Sequence, residues 1–175
     1  MTVGACALCY WWSGHVRGPE LSGEANAAGE APRGSGEPRL EISMDRVRLN
    51  LDLVHSHLNT TYWAKGRARD VVERSMRHSL CFGAYVEGEQ VGFARVVSDR
   101  AVFAYLMDVF IPEHQGQGIG KALVGAVVAH PDLRGLRLFV LRTRDAHGTH
   151  GLYRQFGFER LGNPEWTMAI QGPEA

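Results

Sequence analysis

With 175 residues, the chain is long enough for one domain with a substantial buried core. Lys and Arg number 19 and Asp and Glu also 19, so the formal charge is zero, which argues against nucleic acid or a membrane surface as the main partner. Three cysteines, an odd number, suit a reducing compartment better than a disulfide framework, and a cytoplasmic location is expected.

Residues 1–40 are rich in Gly, Ala, Glu, Ser and Pro and hold no sustained apolar period, which predicts a disordered N-terminal extension. The apolar run over 5–12 is too short to span a bilayer and lacks the basic residues of a secretory signal. Cys6 and Cys9 have the spacing of half a zinc site, but no second pair exists, and no metal is expected. A folded domain is expected over 41–171, with 172–175 as a tail. Val47 and Leu49 suggest a short first strand, followed by a helix carrying Leu51, Val54, His55 and Leu58 on one face, with Asn50 or Asp52 as its cap. A second helix from about Arg67 aligns Ala68, Val71, Val72, Ser75 and Met76. Between the helices, Tyr62 and Trp63 either line a substrate pocket or anchor the corner.

Strands are predicted over 80–86, 91–97 and 102–111, and their short connections make an antiparallel meander. Cys81 reads as a small core residue. Strand alternation places Ala104, Leu106, Asp108 and Phe110 on one face. After Pro112, Gln115-Gly116-Gln117-Gly118-Ile119-Gly120-Lys121 leads into a helix with Ile119, Ala122, Leu123, Ala126 and Val127 on one face, ending before Pro131. Glycines and helix N-terminal amides in this order suit an anion. A P-loop is excluded because Gln115 and Ala122 stand where Gly and Ser or Thr are needed; a dinucleotide fingerprint is excluded by Lys121. A plain strand-to-helix turn stays open.

An apolar strand over 136–141, reached through that helix, should lie parallel to its predecessor. If the two strands diverge at their C-terminal ends, their unpaired backbone can bind an extended amide chain. A short helix ends in Leu152-Tyr153-Arg154-Gln155-Phe156-Gly157-Phe158, with Gly157 as its C-terminal cap, and strands near 158–161 and 166–170 complete the sheet.

The Gln-x-x-Gly-x-Gly loop at 115–120 and the Leu-Tyr-x-x-x-Gly-Phe segment at 152–158 together resemble the GNAT superfamily of N-acetyltransferases. The likeness covers about 41–170 and is nearest a bacterial-type subfamily marked by Tyr62-Trp63-Ala64, Cys81-Phe82-Gly83, Gly92-Phe93-Ala94-Arg95-Val96, Asp108-Val109-Phe110 and Asp145-Ala146-His147-Gly148. The resemblance implies an α/β (α+β) fold, a mixed and mostly antiparallel sheet flanked by helices, with a parallel strand pair splayed around acetyl-CoA. It also implies direct acetyl transfer to a small-molecule amine or to an accessible amino group of a protein or peptide. The pyrophosphate would meet Gln115, Gly116, Gly118 and Gly120, with Gln117, Ile119 and Lys121 in the same loop. Asp108, Val109 and Phe110 would offer backbone groups to pantetheine, and Tyr62 and Trp63 would line the substrate side. Tyr153 matches the family's thiol-protonating tyrosine.

No general base is evident. Asp108 is a candidate for orienting water or attracting a cationic amine, with a hydrogen-bonded structural aspartate as the alternative, and His55, His57 and His147 have only residue type to recommend them. Thr149-His150-Gly151 interrupts the family pattern and is expected to bulge out, leaving Tyr153 in place. The same insertion is the best argument for the alternative of a CoA-binding sensor without turnover. A homodimer through a sheet edge or the helical face is left open.

Overall fold

A computed structural model describes residues 39–113, 116–144 and 148–162, all within the unit that runs from Glu37 onward. The expectations for 1–38, for Gln115, for the histidine at 147 and for a strand over 166–170 lie outside the described residues.

Five strands form one sheet in chain order: β1 (Leu40–Ser43), β2 (Leu80–Val86), β3 (Glu89–Ser98), β4 (Phe103–Phe110) and β5 (Leu138–Leu141). The first four pair antiparallel, as two-residue and four-residue connections dictate for β2 to β4, and β5 pairs parallel to β4. Helices α1 (Leu51–Thr60) and α2 (Arg69–Arg77) cover one face, where Val54, Leu58, Val72 and Met76 meet Cys81, Phe93 and Phe110. Helix α3 (Ile119–Ala129) covers the other, where Ile119, Leu123 and Val127 meet Phe82, Ala84, Ala94, Val96, Ala104 and Leu106. A fully buried side chain such as Leu58 or Leu123 contributes about 1.5–3 kcal/mol by leaving water. The remaining helix, α4 (Thr149–Arg154), places Tyr153 against the α3-side core.

Local chemistry sets the start of this architecture, and it corrects the first strand. Asp45 accepts a hydrogen bond from the Val47 N–H at 3.0 Å and caps a 3-10 turn over Arg46–Arg48. Val47 is therefore 93% exposed, and the strand lies earlier, at 40–43. Arg46 then ties this turn to the end of α2, donating to the carbonyls of Met76, Arg77 and Ser79. Asn50, rather than Asp52, caps α1: its side chain accepts from the Leu53 N–H at 3.0 Å.

Two further expectations change. Residues 158–161 are irregular rather than a strand. Thr149, His150 and Gly151 do not bulge out: they form the first turn of α4, so helical hydrogen bonding absorbs the insertion.

Cys81 is buried, its thiol donates to the Met76 carbonyl at 3.4 Å, and burial pushes its pKa up to about 11. At pH 8 roughly one molecule in a thousand would carry the thiolate there. Alkylation at Cys81 in the native protein, followed by peptide mass spectrometry, is expected to be slow and to become complete only in denaturant.

Candidate functional site

The site begins where β4 and β5 part. Their register runs from Phe103 opposite Leu138 to Leu106 opposite Leu141 and stops there, although β4 continues to Phe110. Beyond that point β4 also bulges: Arg95 pairs with Met107 and Phe93 with Phe110, so two β4 residues stand against one on β3. Asp108 takes the strain at φ 51°. The bulge reverses the expected facing. Ala104 and Leu106 pack beneath α3, whereas Phe110 packs beneath α1 and α2, because an extra residue shifts the two-residue alternation by one.

A cleft of about 460 Å³ opens at the divergence, walled by Met107–Val109 of β4, by 141–144 at the end of β5, and by Tyr62, Trp63 and Arg67 from the α1–α2 connection. Tyr62 and Trp63 stay 57% and 45% exposed and meet edge to face at 4.9 Å, so they line an opening rather than fill a corner. The Arg144 guanidinium lies 3.7 Å from the Tyr62 ring centroid.

On the α3 side, the loop turns through Gly116 at φ 83° and Gly118 at φ 78°. Gly118 is the N-cap of α3, and among the described residues no side chain caps the helix, which leaves its first-turn amides facing the loop. A Cβ on Gly116 or Gly118 would meet none of the described residues within 4 Å, and both glycines take a left-handed backbone that other residues rarely adopt. Gln117 and Lys121 are exposed, and Ile119 is buried in the core, so Ile119 can offer only its backbone to a ligand.

Tyr153 reaches the cleft from α4 and meets Phe158 edge to face at 6.0 Å. Burial raises its phenol above the ordinary tyrosine value, so the hydroxyl keeps its proton at neutral pH. Asp108 is otherwise engaged. Its Oδ2 accepts from Arg95 Nε at 2.8 Å and lies 2.7 Å from Arg95 Nη2, with Arg67 Nη1 at 3.4 Å, and its side chain is 1% exposed. Neither described histidine candidate lines the cleft: His55 Nε2 contacts the Arg67 carbonyl and the Asn59 amide, and His57 stacks on Phe110 at 4.0 Å, its pKa lowered by burial. Sequence reasoning overlooked Arg67, Arg95, Arg142 and Arg144. Arg95 carried a readable signal, since a charge inside the apolar run 91–97 demands a buried partner.

A family model described as the acetyltransferase (GNAT) domain matches residues 77–160. A crystal structure from Xanthomonas campestris pv. campestris, of a candidate acetyltransferase of the GNAT family, is 50% identical with a TM-score of 0.72, spanning 79% of this chain and 96% of that one. The chain belongs to the GNAT acetyltransferases. As a member of that family it is an N-acetyltransferase, with the mixed sheet and parallel β4–β5 pair expected of it. A Gibberella zeae protein named as a candidate acetyltransferase is 32% identical over 131 residues, covering 61% of this chain and 73% of the relative. An aminoglycoside N-acetyltransferase solved with CoA shares the GNAT fold at a TM-score of 0.57, spanning 82% of this chain and 99% of that one, and at 19% identity it speaks for the fold alone. Among the described residues, no helix is long and apolar enough to cross a membrane.

Proposed function

We propose that the protein transfers acetyl from acetyl-CoA directly to the amine of a small molecule or to an accessible amino group. The observation that carries this reading is the combination of a glycine-led N-terminus on α3, with no side-chain cap among the described residues, and the strand divergence beside it. The amides at 116–121 suit the pyrophosphate, with Gln115 completing the motif, and the unpaired edge of β4 at Asp108, Val109 and Phe110 suits the amide groups of the pantetheine arm. Acetyl-CoA supplies the acetyl group as an activated thioester. Tyr153 holds a proton at its Oη for the departing sulfur, and Tyr62 and Trp63 line the acceptor's approach. Asp108 fits a positioning role, because its oxygens are engaged by arginines and its side chain is closed to solvent. The acceptor attacks as its neutral fraction, and the proton its nitrogen loses on acylation restores the Tyr153 phenol as CoA leaves as the thiol. The sensor reading rested on the insertion at 149–151, which α4 absorbs with Tyr153 still at the cleft, and no observation favours it.

Isothermal calorimetry of the folded protein with CoA should give saturable heat; none at millimolar CoA would sink the proposal. Gly118→Val forces a β-branched residue to φ 78° and is expected to weaken CoA binding about tenfold or more. Unchanged affinity would remove the loop from the cofactor site.

A further inference from the structure

The charge at the cleft has a sign that the chain as a whole does not. Among the described residues, its lining carries Arg67, Arg142 and Arg144 against one carboxylate, Asp108. That carboxylate is already held by Arg95, which lies outside the lining and is itself 7% exposed, so among the described residues the lining arginines outnumber the carboxylates available to them. None of the ion pairs among the described residues involves Arg142 or Arg144. The Arg144 guanidinium lies over the Tyr62 ring, 3.7 Å from its centroid, and among the described residues it donates no hydrogen bond, so its N–H groups are available to an anion. Arg67 reaches Asp108 only at 3.4–3.5 Å through Nη1, long for a charge-assisted bond.

Arg67 and Arg144 also lie on the acceptor's side of the sheet. The glycine turn opens α3, which packs on one face, whereas Arg67 comes from the connection between α1 and α2, which pack on the other. Arg144 is fixed on that second side by its contact with Tyr62. Arg142 follows Leu141 directly past the end of β5 and lines the cleft beside Arg144.

Resting on the transferase reading, we infer that the acceptor is an amine that also bears a carboxylate, seated by Arg142 and Arg144 with Arg67. A guanidinium meets a carboxylate through two parallel N–H···O bonds, which fixes the amine's direction as well as its presence. The same charges disfavour an ammonium beside them and so enlarge the neutral, nucleophilic fraction of the bound amine. Polycationic amines are repelled on both counts.

The test measures kcat/KM at saturating acetyl-CoA for amino acids with the amine on the α, β or terminal carbon, each beside its carboxamide, with spermidine as the polycation. Converting an α-carboxylate to the amide lowers the amine's basicity, so intrinsic reactivity at neutral pH favours the amide. A carboxylate advantage of about ten- to a hundredfold in at least one pair is expected, the size of a charged hydrogen-bonded contact. In the Arg142→Gln/Arg144→Gln double variant that advantage should shrink to within about threefold, with KM for acetyl-CoA changed by less than about twofold. Equal turnover of every pair, or spermidine as the best acceptor, with CoA binding intact, overturns this inference and leaves the transferase reading standing. A folded protein that gives no CoA saturation overturns both.

Discussion

Arg95→Met should lower the unfolding free energy by about 3–5 kcal/mol, read from urea denaturation at constant m-value, because it strands a buried carboxylate. The Arg95 and Asp108 side chains are 7% and 1% exposed and 2.7 Å apart, so neither is replaced by water when its partner is removed. Arg67, at 3.4 Å from the same oxygen and 21% exposed, can compensate in part, which puts the expectation toward the lower end of that range. The pair also sits on the backbone that makes the cleft: Asp108 holds φ 51° in the bulge, a conformation that costs an ordinary residue about 1–2 kcal/mol. Losing the ion pair should therefore loosen the unpaired β4 edge, and KM for acetyl-CoA should rise more than kcat falls. Adding Asp108→Asn to Arg95→Met should recover part of the lost stability, since the stranded charge goes with it. A single variant within about 1 kcal/mol of the native protein would show that the pair does not hold the bulge.

What could be read from the residues follows the physics of each element. The meander, the parallel β5 and α3 announce themselves because apolar runs over 80–86, 102–111 and 136–141 alternate with short turns and one helical period. β1 did not, because Val47 and Leu49 alternate as convincingly as Leu40 and Ile42, and only the Asp45 side chain decides that the chain turns at 46–48. A bulge is equally silent. It adds one residue to a strand without altering its composition, yet it carries Phe110 across the sheet and brings Asp108 to Arg95. The glycine loop was legible because Gly116 and Gly118 need positive φ, whereas the cleft arginines come from separate segments that only tertiary packing brings together. The insertion at 149–151 looked disruptive as text, but Thr149, His150 and Gly151 can all enter a helix, and α4 takes them in.

Tyr153→Phe should reduce kcat about a hundredfold while leaving KM for acetyl-CoA nearly unchanged, the pattern of a group needed only as the sulfur departs. The lower end of the usual range for proton transfer is expected because a thiolate is already a fair leaving group. Phenylalanine keeps the ring that packs against the α3-side core and Phe158, so the melting temperature should stay close to native and separate a chemical role from a structural one. The pH profile adds an independent check. Burial raises the phenol's pKa in the folded state, so Tyr153 remains a proton donor up to and beyond the ordinary tyrosine value of about 10. In the native enzyme kcat should rise through the acceptor amine's own titration and fall only above about pH 10, and Tyr153→Phe should abolish that alkaline fall. The sign for stability agrees: a raised phenol pKa favours the folded state fully below about pH 10, and that contribution is lost as pH rises through the folded value. A variant with kcat within about threefold of native and the same alkaline limb would take Tyr153 out of the chemistry and leave it a packing residue of α4.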